Sequence, residues 1–197
     1  MADSEWSVAA PADTRTIRAW PEIDDDEPLD LRGVAARGRR ISGVELSAHS
    51  ELVDLVATDC DISGLLAQQS RLERAELVRS RLRGVTWAGG VVRDVLLDEV
   101  RTEDASVRFS ALRRVIVRDS DLPGLDLTEC TLEQVRFEQC TLRGARFDHA
   151  TMVQVGFTGC DLTGVSGAAA FAGASMQLDD LLSLAPSLAR ELGITII

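Results

Sequence analysis

The 197 residues include no lysine, asparagine or tyrosine, so all 21 positively charged side chains are arginines. No apolar run approaches the roughly 18 residues of a membrane span. The opening MADSEWSVAAPADT has neither the basic nor the apolar stretch of a secretory signal. Four cysteines without a C-x-x-C pair fit neither a disulfide framework nor a zinc site. These absences point to a cytoplasmic protein with reduced thiols. Patterns that carry chemistry are equally sparse. His49 and His149 stand far apart, and no nucleophile–base spacing is recognisable among the Ser, Asp and His residues. GVSGAAAFAGA at 164–174 lacks the lysine that follows the glycines of a phosphate loop. The expectation is no enzyme, no cofactor and no metal site.

Negative charge is abundant but unevenly placed. The net charge is −11, of which residues 1–28 contribute −6, residues 29–164 contribute −3 and residues 165–197 contribute −2. The first 28 residues, including EIDDDE at 22–27, therefore read as an acidic, flexible extension.

From residue 29 to 164 the chain repeats every five residues. Counting by fives from Leu132 gives Leu112, Val117, Leu122, Leu127, Phe137, Leu142, Phe147, Met152, Phe157 and Leu162. The series runs back to Leu52, slips by one residue near His49, and resumes at Leu46, Ile41, Ala36 and Leu31. Of these 27 centres only Thr102 is polar. The position two before each centre is small or apolar, as at Cys60, Ser80, Val95, Cys130, Cys140 and Cys160. Among 39 charged residues in the region, 38 avoid both slots, and Arg39 is the exception. An unpaired buried charge costs several kcal/mol, so the two slots must face an interior.

A period of five fits neither the helix (3.6) nor the strand (2.0). It fits a coil of short sides, each giving two side chains to the inside before turning. Glycine two after the centre recurs at Gly43, Gly64, Gly84, Gly124, Gly144 and Gly164, with Asp104 in the gap, which sets four sides to a turn. Glycine suits corners that need positive φ.

CDLTG at 160–164, CTLRG at 140–144 and SDLPG at 120–124 resemble the Ala-Asp/Asn-Leu-x-x arrays of the pentapeptide-repeat family. Valine often replaces the small residue here, and arginine or threonine often replaces the aspartate. The resemblance implies a right-handed quadrilateral β-helix of about seven 20-residue coils. The domain reading is an extension over 1–28, the β-helix over 29–164, and an irregular last coil, helical cap and tail over 165–197. Such a rod needs capped ends. MQLDDLLSLAPSLAREL at 176–192 has helical spacing, and Pro186 should divide it into two short helices. Leu181, Leu184, Leu188 and Leu192 are the candidate cap contacts, and family members imply that such a segment can also pair two chains into a homodimer.

Within that family, the quinolone-resistance proteins bind DNA gyrase as acidic rods that imitate duplex DNA. The resemblance therefore implies a non-enzymatic macromolecular-interaction protein with gyrase as the leading partner. The candidate contacts are Asp98, Glu99, Asp119 and Glu138 on one side, with Asp126 and Glu129 on another. The alternative is a scaffold for an unrelated cytoplasmic protein. Charge alternates along the rod, at +2 over 29–48, −4 over 49–69 and +3 over 70–89, which favours ion pairs between coils over one acidic field. Direct nucleic-acid binding is not expected, since no aromatic is interleaved with the arginines. Val91, Leu96, Phe109 and Ile116 are outward apolar positions that fit scattered surface exposure or part of a protein-binding patch.

Overall fold

A computed structural model of the chain describes residues 7–12, 14–16 and 29–196. The slots that exclude charge turn inward. Leu132, Phe137, Leu142 and Phe147, on four successive sides of one coil, are 0%, 2%, 0% and 0% exposed. Arg39 lies in the first coil and is exposed, so the exception to the pattern buries no charge.

Each coil hydrogen-bonds to the next in parallel register. Strands Asp30–Arg37, Glu51–Thr58, Arg71–Val78, Val91–Asp98, Ala111–Arg118 and Thr131–Glu138 stack in one sheet. Each covers two sides and bends at its fourth residue, which takes positive φ in every case. The third side stacks Arg40–Ser42, Asp61–Ser63, Arg81–Arg83 and Arg101–Glu103, and the fourth stacks Glu45–Leu46, Leu66–Gln68 and Thr86–Ala88. Further along, these two sides continue as tight turns joined by isolated parallel bridges such as Asp121↔Thr141 and Asp126↔Arg146. The molecule is a right-handed, four-sided β-helix of about seven coils with one C-terminal helix.

The corner glycines Gly43, Gly64, Gly84, Gly124, Gly144 and Gly164 all have positive φ, and Asp104 takes the same conformation at 54°. The slip is a longer corner. Leu29 and Ser50 are 21 residues apart where later coils step by 20. The extra residue sits in the turn at His49, whose φ is 68°. Ser50 Oγ closes the turn by donating to the Ser47 carbonyl.

The C-terminal cap differs from the sequence expectation. Ala168–Phe171 forms a short 3-10 turn whose Phe171 joins the core, and one continuous helix, α1, runs from Leu178 to Glu191 through Pro186. Pro186 lacks the N–H that would bond the Leu182 carbonyl. Both residues are exposed, so water can satisfy that carbonyl and the helix need not break. Leu184 is buried and Leu188 is half-buried against the core, whereas Leu181 and Leu192 face outward with Leu178 and Leu182.

The polar side chains of α1 complete the last coil. In earlier coils a serine hydroxyl accepts from the backbone one coil back, as Ser80 Oγ does from Cys60 N–H and Ser120 Oγ from Val100 N–H. Asp180, 1% exposed, takes that place at the end, accepting from Cys160 N–H and from Gln177 N–H. Ser183 Oγ accepts from Leu162 N–H, and the Glu191 carboxylate accepts from Ala168 and Ala169 N–H.

At the other end, the described residues of the extension are not a free tail. Arg15–Thr16 pairs in parallel with Val34–Ala35, Ala12 N–H donates to Asp54, and Ala9 N–H donates to Asp94. This corrects the flexible reading for residues 7–12 and 14–16. A short uncharged stretch, SVAAPA at 7–12, offers backbone donors to Asp54 and Asp94. The acidic run 22–27 lies outside the described residues.

Candidate interaction surface

Because outward positions recur every 20 residues, charges form columns parallel to the rod axis. The column at the bend of the long strands reads Asp54, Arg74, Asp94, Arg114. Arg74 grips Asp54 through Nε and Nη2 at 2.6 and 2.9 Å, and Arg114 grips Asp94 at 2.6 Å through both. Glu73 lies among Arg71, Arg74 and Arg93. The hydrogen bond from Arg114 holds the Asp94 carboxyl below the usual carboxylate range against the opposing effect of its burial. Hydrogen bonds from Arg74 and Arg79 do the same for Asp54 and Asp59. Most of this rod's charge is thus spent between its own coils.

The six acids singled out from the sequence do not make one stripe. Asp98 pairs with Arg118 at 2.7 Å, and Arg118 stands between Asp98 and Glu138 in register. Asp126 lies 3.7 Å from Arg108 and 3.8 Å from Arg146, and it accepts from Thr128. Glu129 is exposed at a separate corner. Glu99 and Asp119, both exposed, occupy the same corner on successive coils.

That corner borders an open concavity of about 1020 Å³ running across the third side. Arg79, Arg81, Arg83 and Arg101 line it together with Glu99 and Asp119. Arg79 is held by Asp59 and Arg83 by Glu103. Arg81 and Arg101 are register neighbours, and no described carboxylate lies within 4 Å of either. In the sequence Arg79, Arg81 and Arg83 enter only through the +3 of residues 70–89; the 20-residue column that sets Arg101 beside Arg81 is the signal available.

Residues suited to catalysis are scattered. His49 and His149 are exposed corner residues with positive φ, and all four cysteines are buried. Burial pushes the Cys130 thiol up to about 11. Among the described residues no group of His, Cys, Asp and Glu could hold a metal ion, and no helix is long and apolar enough to cross a membrane. Phe109 is 51% exposed and Val91 37%, while Leu96 and Ile116 are half-buried.

The family model for pentapeptide repeats matches residues 126–164 in 8 copies. No curated protein sequence matches the chain. Among solved structures, HetL, a pentapeptide repeat protein involved in heterocyst differentiation regulation in Nostoc sp. strain PCC 7120, is 19% identical. That alignment covers 70% of this chain and 72% of HetL, with a TM-score of 0.36. A trypsin-treated form of QnrB1, a plasmid-mediated fluoroquinolone resistance protein, is 15% identical over 87% of this chain and 100% of its own, with a TM-score of 0.28. A pentapeptide repeat protein of the Arabidopsis thaliana thylakoid lumen is 19% identical over 76% of this chain and 77% of its own, with a TM-score of 0.24. The family's repeats are matched in the later coils, and the same inward slots and four-sided register run back to residue 29, so the chain resembles the pentapeptide-repeat family.

Proposed function

We propose that the chain is a non-enzymatic interaction rod that binds a protein partner through the mixed-charge concavity of its third side, in the cytoplasm. One observation carries this reading. In the bend column arginine and aspartate alternate, and the adjacent Arg93 and Arg113 are each paired by a glutamate, whereas here Arg81 abuts Arg101 with no described carboxylate within 4 Å, and Glu99 abuts Asp119. Like charges on neighbouring strands cost stability unless something else compensates them. A protein surface bearing both signs would do so, and electrostatic matching would set its orientation. The test is capture from the source cells by the wild-type rod and by an Arg81→Glu, Arg101→Glu rod. A partner held by the first and released by the second supports the reading, and equal capture rejects this face.

DNA gyrase is the partner that the family resemblance implies. Imitation of duplex DNA calls for a continuous negative stripe, and Arg118 and Arg146 interrupt the two candidate stripes. Glu99 and Asp119 are the acids best placed for such a contact. If gyrase is bound there, micromolar rod should inhibit or protect it in a supercoiling assay, and Glu99→Gln with Asp119→Asn should abolish the effect. No effect from the wild-type rod rejects gyrase and leaves the scaffold reading. The outward leucines of α1, Leu178, Leu181 and Leu182, with Leu192 just after it, support a second copy of the chain as a further partner. Sedimentation of wild type against Leu181→Glu tests that pairing.

A further inference from the structure

The interior of the rod is not evenly filled. In the later coils phenylalanines occupy the centre slots, and Phe137, Phe147, Phe157 and Phe171 pack ring to ring at 4.9–6.3 Å. In the coils before them the same slots hold Leu72, Leu77, Leu82, Trp87, Val92, Leu97, Thr102 and Val107. A cavity of about 140 Å³ runs inside these coils, with Ile41 of the first coil and Phe137 of the sixth among its walls. Leu72, Leu82, Leu97 and Val107 line it and keep accessible surface although their slots point inward. Their counterparts Leu122, Leu127, Leu132 and Leu142 are at most 1% exposed. The accessible surface of the first group is therefore cavity wall.

Two wall residues carry a buried polar atom without a hydrogen-bond partner, Trp87 at Nε1 and Thr102 at Oγ1. Thr102 is the single polar centre in the repeat, is 5% exposed, lines the cavity, and its Oγ1 has no hydrogen-bond partner. A buried hydroxyl without a partner is unfavourable, and it is uncommon in folded proteins. Trp87 Nε1 sits against the backbone of Gly90, at a different corner of the coil from Thr102. The Thr102 hydroxyl alone therefore does not make a water site, because an interior water needs two to four polar partners. Cavities of about this size with aliphatic and aromatic walls stay dry and take small apolar ligands.

We propose that the rod's interior is a binding site for a linear aliphatic molecule bearing one hydrogen-bonding oxygen, held at Thr102 Oγ1. The shape decides between a chain and a ring. Six coils at about 4.8 Å spacing span roughly 24 Å, and a small volume drawn out along that axis is one alkyl chain wide. The hydroxyl then has a partner, and the methylenes lie against Leu82, Leu97 and Val107. This inference is independent of the charged concavity and of any macromolecular partner.

The experiment titrates the full-length protein with n-octanol, reading the melting temperature and the methyl resonances of Leu and Val. Saturable binding is expected, with a raised melting temperature and shifts confined to methyls lining the cavity. Thr102→Val, which keeps the shape and removes the hydroxyl, should weaken n-octanol binding roughly fivefold, the worth of one ordinary hydrogen bond. Val107→Phe fills the void with a residue that centre slots accept in later coils, and should abolish binding. The proposal is overturned if no saturable shift occurs, if shifts spread to methyls outside the cavity, or if benzene binds and n-octanol does not. Undiminished affinity in Thr102→Val removes the polar anchor and overturns it as well.

Discussion

A single phenylalanine shows how strictly the five-residue phase acts. Phe137 is 2% exposed and stacks on Phe157 at 5.2 Å, while its neighbour Glu138 points out of the coil. Phe137→Ala should cost about 3–5 kcal/mol through the cavity it leaves. Glu138→Ala should change stability by less than about 0.5 kcal/mol. Urea melts of the two variants measure this, and equal losses would mean the phase is misread. The corner residues face a different demand. Among the described residues seventeen non-glycine ones have positive φ, and the chain has no asparagine, a side chain well tolerated there. Aspartate, arginine, glutamine, glutamate and histidine fill most of these corners, so ion pairs and left-handed backbone fall at the same positions. Asp94 is the sharpest case, its side chain 7% exposed and bonded by Arg114. Its lowered pKa adds stability that is fully present above the ordinary carboxylate value and is lost as pH falls through the folded one. Wild type should therefore lose stability below about pH 4, and the gap between it and Asp94→Asn should close as acid is added. A gap that stays constant with pH would exclude this linkage.

At the scale of elements, α1 does the work of a missing coil. Asp180 meets Cys160 N–H where an eighth coil would have placed a serine, and Leu184 covers the core beneath it. Asp180→Ala should cost about 1.5–3 kcal/mol, the usual value of a hydrogen bond to a charged group. A chain ending at Gly164 should associate end to end, since it presents open backbone groups and an uncovered core. A truncated chain that stays monomeric with unchanged melting would remove the capping role. The coils and the slip at His49 were legible in the sequence because charge exclusion acts on every repeat, and the four sides because the corner glycine returns every fourth repeat. The single helix through Pro186 was not, because its continuity depends on which side of the helix faces solvent. The docked residues 7–12 were hidden by averaging charge over the first 28 residues, although SVAAPA itself carries none. The arginine side of the concavity was missed for a related reason. Summing charge by coil erases the column that joins Arg81 to Arg101.

For the whole molecule, charge and shape repeat on different lengths. The core repeats every coil, so any coil can in principle follow any other. The half-buried ladder Asp54, Arg74, Asp94, Arg114 repeats only every second coil. Removing residues 70–89 would bring Asp54 against Asp94, whose side chains are 13% and 7% exposed and so poorly screened. Removing residues 70–109 would set Asp54 against Arg114 and keep the alternation. The longer deletion should therefore melt higher than the shorter one despite its smaller core, and the opposite order would mean the ladder is energetically idle. The N-terminal segment keeps the same count. From Ala9 to Ala12 is three residues of extended chain, about 10 Å, and from Asp94 to Asp54 is two coil steps, about 9.6 Å. Strap and ladder thus share one unit of length, and over this stretch the rod can be shortened or lengthened without mismatch only in pairs of coils, as a vernier allows only certain alignments.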